Sequence, residues 1–377
     1  MRALPPPWDA RLSRRALGRL ALGLGVGAAG GAAAEAAGVP LAWMLGALFL
    51  CMAVRMAGAP IEVPVWFRTL FMGLIGLFLG ESFAGVGWAE LSRWPLTLAA
   101  AVLYVPAGAA LGYLLLRRAA GFERGTALLS ALPGGLTAVA IFADEAGGDS
   151  RRVALSHSFR VALVILIAPA VAFGLLGLPE PTAGSFAALG VIGAGDFALL
   201  AAASALAAWG MARIGWPVPW LLGPLAASAA LRMPGLVEGG LPAWTVEWAL
   251  LVSGASIGTR FHGVGWRVFA SVALWTAAVT ALLLALSAGF ALAVWAALGV
   301  PLFSALLAYA PGGVAEMSLI AIAIDADPAF VATHHMARIF AILFALPLIA
   351  GALRRLLAAD RAGRGSPPGS RPPREAP

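Results

Sequence analysis

Residues 131–169 read ALPGGLTAVAIFADEAGGDSRRVALSHSFRVALVILIAP, and residues 309–347 read YAPGGVAEMSLIAIAIDADPAFVATHHMARIFAILFALP. The two stretches align without a gap at an offset of 178 residues, and both contain Pro-Gly-Gly and His-x-x-Arg in the same register. The chain has only four His, so a shared register for two of them indicates an internal duplication rather than coincidence. A repeat of this length decides the architecture of the whole chain.

Further matches extend the duplication toward the start of each half. GVPLAWMLGALFL at 38–50 resembles GWPVPWLLGPLAA at 215–227, and FAGVGW at 83–88 matches FHGVGW at 261–266 at five of six positions. The predicted units are a basic cytoplasmic N-terminal tail at 1–16, a first membrane repeat at 17–178, a linker at 179–189, a second membrane repeat at 190–356, and a disordered cytoplasmic C-terminal tail at 357–377.

The composition identifies the class of protein. Of the 377 residues, 61% are hydrophobic and 11% are charged, whereas about a quarter of the residues in soluble domains are charged. Apolar stretches of about 20 residues recur along nearly the whole chain, which is typical of spanning helices rather than of an outer-membrane barrel. We therefore predict an all-α polytopic membrane protein with about 10–12 transmembrane helices in two homologous repeats.

The number of spans in each repeat decides how the two repeats are related. An even number gives parallel repeats, and an odd number gives inverted repeats, as in many secondary transporters. All 25 basic residues are Arg, and five precede residue 20 while six follow residue 350, which places both termini in the cytoplasm. The remaining Arg residues do not decide the parity, and an inverted-repeat, transporter-like fold is the working hypothesis.

Each repeat carries a Pro-Gly-Gly near the middle of an apolar segment. Proline removes a backbone donor and clashes with the preceding turn, and two glycines weaken the helix further, so each segment is expected to unwind or kink. The freed backbone groups must be buried in protein or face a water-filled cavity, although a kink absorbed by packing is the alternative. The residues concerned are Pro133, Gly134, Gly135, Pro311, Gly312 and Gly313.

The second candidate feature is a pair of ionisable residues inside the helix that follows each Pro-Gly-Gly. His157 and Arg160, like His335 and Arg338, share a helix face because they are three residues apart. The arginines are expected about 12–15 Å into the membrane, where an unpaired charge is costly. They either bind an anionic solute or act structurally, by snorkelling or by bonding the freed carbonyls. Glu316, which follows the second Pro-Gly-Gly, is expected to pair with Arg338 or to carry a proton.

Other motifs restrict the function. Asp149 and Asp327 directly precede a helix, where an N-cap role is favoured. A single Cys51 and four His residues provide poor material for a metal site, and no Gly-rich phosphate loop, HExxH or lipase-type GxSxG stands out. The polar tails are too short for a DNA-binding domain. We therefore expect no enzymatic activity, no metal, no cofactor and no direct nucleic acid binding.

Together these motifs resemble the bacterial AbrB-duplication membrane family over about residues 17–355. That resemblance implies a bacterial inner-membrane location and, from the label AbrB family transcriptional regulator, regulation of gene expression; the label ammonia monooxygenase is also used. A broader similarity is to the cation/proton antiporter and anion transporter superfamily, in the order of LFLGES at 77–82, the first Pro-Gly-Gly and the His157/Arg160 pair. The antiporters' paired carboxylates are absent from the corresponding helix, which favours an anionic solute.

Three functions remain as hypotheses. A secondary transporter, moving a small and anionic solute between the two broken helices, has the most physical support. A membrane-embedded regulator that acts indirectly on gene expression is the alternative, and a membrane monooxygenase is the least favoured. The expected partners are the lipid bilayer and the solute. A second copy of the chain, in a homodimer, is a further candidate partner.

Overall fold

A computed structural model describes residues 13–84, 86–87, 91–134, 139, 148–175, 177, 191–216, 218–242, 244–263 and 266–363. These ranges contain thirteen α-helices and no β-strand. The helices are α1 Arg14–Ala36, α2 Ala42–Met56, α3 Val65–Glu81, α4 Trp94–Arg118, α5 Arg124–Ala131, α6 Ser150–Pro169, α7 Ala194–Arg213, α8 Pro219–Arg232, α9 Trp244–Gly258, α10 Trp266–Leu298, α11 Leu302–Tyr309, α12 Val314–Ala323 and α13 Pro328–Gly363. A short π-helical segment, Ala170–Leu175, continues α6.

The observed helices follow most of the segments that the sequence predicts, with differences at the ends. Helix α1 begins at Arg14, inside the predicted N-terminal tail, because the Ser13 side chain accepts a hydrogen bond from the backbone of Ala16 and caps the helix. Helix α13 continues to Gly363, past the predicted end of the second repeat at 356. The predicted linker at 179–189 and the last part of the C-terminal tail, 364–377, lie outside the described residues.

Six described helical segments are long and apolar enough to cross a membrane, and the protein is an all-α polytopic membrane protein. They are Arg14–Ala36, Trp94–Arg118, Ser150–Gly174, Ala194–Arg213, Val268–Leu298 and Pro328–Leu346. Helices α2, α3, α8 and α9 have only 14–17 residues, less than the ~20 residues that span a bilayer unaided. The total of ten to twelve spans therefore stays a prediction.

The distribution of polar and apolar side chains supports the same class. Large apolar side chains such as Leu70 and Phe344 are 64% and 76% exposed, whereas Thr280 and His334 are at most 1% exposed. Soluble proteins have the opposite pattern, because water solvates polar surfaces. Lipid solvates the exposed leucines and phenylalanines, and the polar groups find their partners inside the helix bundle.

Two close helix crossings join the first half of the chain to the second. Helix α3 packs along α8, and α2 packs along α9. A methyl group at Gly76 or Gly80 would overlap the carbonyl oxygen of Leu221 or Leu225 on α8, respectively. Both glycines belong to a Gly-x-x-x-Gly motif, which lets two membrane helices approach closely. Because the residue numbers of the contacts increase together on both helices, α3 and α8 run parallel.

The second crossing repeats the first. In α9, Gly254 lies against the carbonyl oxygen of Met44, and Gly258 lies against that of Leu48. These glycines are the counterparts of those in α3 at an offset of 178, and α9 therefore runs parallel to α2. The largest apolar cluster connects these crossings to α6, α11, α12 and α13. The crossing helices thus pack in one apolar cluster with the helices that flank the Pro-Gly-Gly motifs.

Candidate functional site

His157 and Arg160 project from α6 onto the end of α5, just before the first Pro-Gly-Gly. Arg160 Nη1 donates to Ser130 O at 3.1 Å, and Arg160 Nη2 donates to Leu132 O at 2.7 Å. His157 Nε2 lies 2.9 Å from Leu129 O and therefore donates, which leaves Nδ1 to accept from Arg160 Nη2 at 2.8 Å. A neutral imidazole and a guanidinium together hold the carbonyl groups at this helix end.

The same contacts recur in the second half, at the same offset. His335 Nε2 lies 2.9 Å from Leu307 O, and Arg338 Nη1 donates to Ala308 O at 3.4 Å and to Ala310 O. The last turn of a helix has carbonyl groups without intrahelical partners, and the negative end of the helix dipole lies there. A guanidinium satisfies both the hydrogen-bonding capacity and the charge of that end.

The start of the helix that carries each His-Arg pair is also built in the same way. Asp149 Oδ1 accepts from Arg152 N at 3.0 Å, and Asp327 Oδ1 accepts from Phe330 N at 2.9 Å. The predicted N-cap role of both aspartates is confirmed. The backbone N–H of each aspartate donates to a hydroxyl group on the helix that precedes the Pro-Gly-Gly of its half, Thr126 Oγ1 on α5 and Ser304 Oγ on α11.

The two Pro-Gly-Gly segments meet at Arg338. Its Nη2 donates to Pro133 O in the first half at 3.1 Å and to Gly312 O in the second at 3.4 Å. The Arg338 guanidinium also lies over the Tyr104 ring, 5.6 Å from its centroid. One side chain therefore connects both halves of the chain in the interior of the protein.

The backbone at the two motifs deviates from a continuous helix. Helix α11 ends at Tyr309 and α12 begins at Val314, so Pro311 and Gly312 lie between two helices. In the first half, Gly134 has φ +132°, a conformation that L side chains rarely adopt. Gly135 lies outside the described residues, so the first interruption is described only up to Gly134.

Both interior arginines are buried without a carboxylate partner among the described residues. Arg160 and Arg338 are each 1% exposed, and the ion pairs found in the described ranges involve other arginines. In each guanidinium the Nε–H has no hydrogen-bond partner. An uncompensated buried charge is costly, so carbonyl dipoles and the Tyr104 ring carry most of the stabilisation here.

Glu316 forms no ion pair with Arg338 among the described residues. It is the third residue of α12, and its carboxylate folds back over Gly313, where an added methyl group would overlap Oε2. A Glu at this position reaches toward the unsatisfied N–H groups at the helix start. The charges within its electrostatic range are Arg260 and Arg68. The carboxylate thus turns back toward the start of its own helix.

Sequence reasoning missed a buried polar chain beside the second site. Tyr309 Oη donates to Thr97 O at 2.9 Å, and His334 Nε2 lies 2.7 Å from Thr97 Oγ1. The Phe330 ring lies 3.8 Å from the His334 ring, centroid to centroid. The only available signal was the doubled His in THHMAR, since its counterpart reads LSHSFR. No group of three or more metal-ligating side chains occurs in the described part of the chain.

Comparison with known proteins identifies the family. A family model described as "Transition state regulatory protein AbrB" matches residues 43–354. The chain is 28% identical over 352 residues to "Uncharacterized protein YhjN" of Bacillus subtilis (strain 168), covering 86% of this chain and 90% of that protein. It is 26% identical over 317 residues to "Putative regulator AbrB" of Escherichia coli (strain K12), covering 83% and 90% respectively. Because the family model matches most of the chain, the protein belongs to the AbrB family.

Proposed function

We propose that the protein is a secondary transporter of a small anionic solute in the bacterial inner membrane, with both termini in the cytoplasm and no enzymatic activity. The observation that carries the proposal is the meeting of the two Pro-Gly-Gly segments at a buried guanidinium, Arg338, which bonds carbonyl groups of both halves. Interrupted helices that meet inside a membrane bundle are the usual place for a transported solute.

The directions of the helices support an inverted arrangement of the two halves. Arg68, in the first turn of α3, lies within electrostatic range of Arg260, which directly follows the end of α9. The start of α3 is therefore near the end of α9, and the two helices run in opposite directions. Since α9 is parallel to α2 and α8 is parallel to α3, α8 runs opposite to its counterpart α2. Opposed counterparts are characteristic of inverted repeats, which alternate access in secondary transporters.

The charge of the interior supports an anion rather than a cation. Two guanidinium groups, Arg160 and Arg338, are buried around the interruptions, and neither forms an ion pair with a described carboxylate. In a medium of low dielectric constant this charge creates a positive potential that attracts anions and repels cations. The solute site that we propose is bounded by the two Pro-Gly-Gly segments and their His-Arg pairs, with Glu316 at the start of α12.

Flux measurements test this proposal. Purified protein is reconstituted into vesicles, and the uptake of radiolabelled acetate, lactate and succinate is compared with that of protein-free vesicles. We expect uptake above the protein-free rate for at least one anion, and a loss of most of it in Arg338→Lys, because an ammonium group lacks the planar fork that reaches several carbonyl groups. Arg118→Lys, at the exposed end of α4, is the matched control. Wild-type uptake equal to that of empty vesicles for every anion would refute the proposal.

A role in gene expression is the second candidate function, and it is supported by names. The family description and the printed name of the Escherichia coli relative both refer to regulation. We propose that any such effect is indirect, through a transported effector or a partner protein. Deletion of the gene followed by transcript profiling tests this candidate, and an unchanged profile would contradict it.

A further inference from the structure

A second group of ionisable side chains lies beside the interruption of the second half. Arg68 extends from the first turn of α3, Arg260 follows the end of α9, and Glu316 belongs to the first turn of α12. The three charges are within electrostatic range of one another. Helix α12 packs against both α3 and α9, which brings the three side chains together. All three are half-buried, so the group is accessible from outside the packed core.

The contacts of Arg68 and Arg260 differ from those of the buried arginines. No hydrogen bond joins either guanidinium to a described residue, and within the described residues Glu316 forms no ion pair with Arg68 or Arg260. Its carboxylate is directed instead toward Gly313 at the start of its own helix. This differs from Arg160 and Arg338, whose Nη groups are occupied by carbonyl oxygens. Together the two guanidinium groups carry ten N–H donors, and among the described residues no acceptor bonds them.

The duplication separates this group from the framework of the fold. The His-Arg pairs, the capping aspartates and the crossing glycines all occur in both halves. At the offset of 178, by contrast, Arg68 corresponds to Val246, Arg260 to Ser82, and Glu316 to Ala138. All three charges are replaced together, so the fold of a repeat does not require them. A role that only one half needs, such as contact with a ligand, accounts for their presence.

We propose that Arg68 and Arg260 bind a small monovalent oxyanion between α3, α9 and the start of α12. Two guanidinium groups present planar donor pairs that match the oxygens of a carboxylate. The positive end of the α12 dipole lies beside them. With Glu316 included, the group carries one net positive charge, which a monovalent anion neutralises. The site rests on the proposed function, since it gives the transported anion its contact residues and leaves Arg160 and Arg338 to hold the helix ends.

Calorimetric titration of the full-length protein in detergent tests the site, with acetate, lactate and inorganic phosphate as the probes. We expect saturable binding of acetate or lactate at about pH 8, and weaker binding of phosphate, which is mainly divalent at that pH. Arg68→Gln and Arg260→Gln should each weaken binding on the order of tenfold or more, because each removes charge-assisted hydrogen bonds. Arg213→Gln is the matched control, since this arginine lies 4.5 Å over the Trp209 ring at the end of α7.

A variant with the opposite effect excludes misfolding as the explanation. Glu316→Gln removes a negative charge from the site and should tighten anion binding roughly threefold or more, the order expected for one partly screened charge. No saturable binding of any probe, or wild-type affinity in both arginine variants, would overturn the site. Wild-type protein that binds acetate but moves no anion would uphold the site and overturn transport. Anion uptake at the wild-type rate in both arginine variants would overturn the site and uphold transport.

Discussion

Replacement of Arg338 by Met tests whether its guanidinium holds the two halves together. The side chain makes two strong hydrogen bonds, to Ala310 O and, at 3.1 Å, to Pro133 O. Its other two bonds, to Ala308 O and Gly312 O, are long at 3.4 Å. A hydrogen bond from a charged group contributes about 1.5–3 kcal/mol, so the two strong bonds represent about 3–6 kcal/mol. Removing the buried charge also removes its desolvation cost, which offsets part of this amount. The net loss of stability should therefore be about 2–4 kcal/mol.

Arg160→Met provides the internal comparison, because Arg160 bonds carbonyl groups of its own half only. Arg160→Met should lose a similar amount of stability to Arg338→Met, but different helix ends should be weakened. Without Arg338, the ends of both α5 and α11 lose a donor, whereas without Arg160 only the end of α5 does. Arg118→Met, at the exposed end of α4, should change stability by less than about 0.5 kcal/mol.

Two measurements follow these variants in mixed micelles. Unfolding by increasing denaturing detergent, monitored through the 13 tryptophans, gives the change in stability. Amide hydrogen exchange locates it, and we expect faster exchange in the last turns of α5 and α11 for Arg338→Met, and in α5 alone for Arg160→Met. Faster exchange confined to α11 in Arg338→Met would refute the connection through Pro133. Unchanged stability would refute the structural role altogether.

Three further variants test other contacts by the same unfolding assay. Asp327→Ala removes the cap of α13 and should cost about 1 kcal/mol, and an unchanged midpoint would contradict the capping bond. Gly254→Ala places a methyl group against a backbone oxygen of α2 and should cost about 1–3 kcal/mol, whereas Gly289→Ala, which meets no atom within 4 Å, should be neutral or stabilising. Glu81→Gln breaks a pair with the buried Arg232 at 3.7 Å and should cost about 2 kcal/mol, less than a closer pair would. Wild-type stability for Glu81→Gln would show that the pair contributes nothing.

Local chemistry explains why much of the framework was predictable from the sequence. The capping aspartates are recognised by their position before a helix, since an N-cap bond spans only three residues. The His-Arg pairs and the Pro-Gly-Gly motifs were found because the duplication repeats them in register. Of the two structural roles considered for the arginines, bonding of freed carbonyl groups matches the contacts of Arg160 and Arg338.

Long-range packing explains what the sequence left undetermined. The direction of Glu316 depends on a choice between Arg338, which lies 22 residues further along the chain, and the unsatisfied donors of its own helix. The approach of Arg68 to Arg260 depends on how α3 and α9 are oriented, and no spacing in the chain encodes that orientation. The helix directions likewise follow from the glycine crossings, which are visible only once the facing helix is known.

The comparison of the two halves separates the residues that both halves share from those that only one half has. An internal duplication preserves whatever each copy needs in order to fold, so residues shared in register support the framework first. Arg160 and Arg338 are shared, and their Nη groups are occupied by carbonyl oxygens. Arg68 and Arg260 occur in one copy only, and no hydrogen bond joins them to a described residue. In the transporter that we propose, Arg160 and Arg338 would therefore support the fold without touching the solute, and the less buried, unduplicated pair Arg68 and Arg260 is the better candidate for contact with an anion.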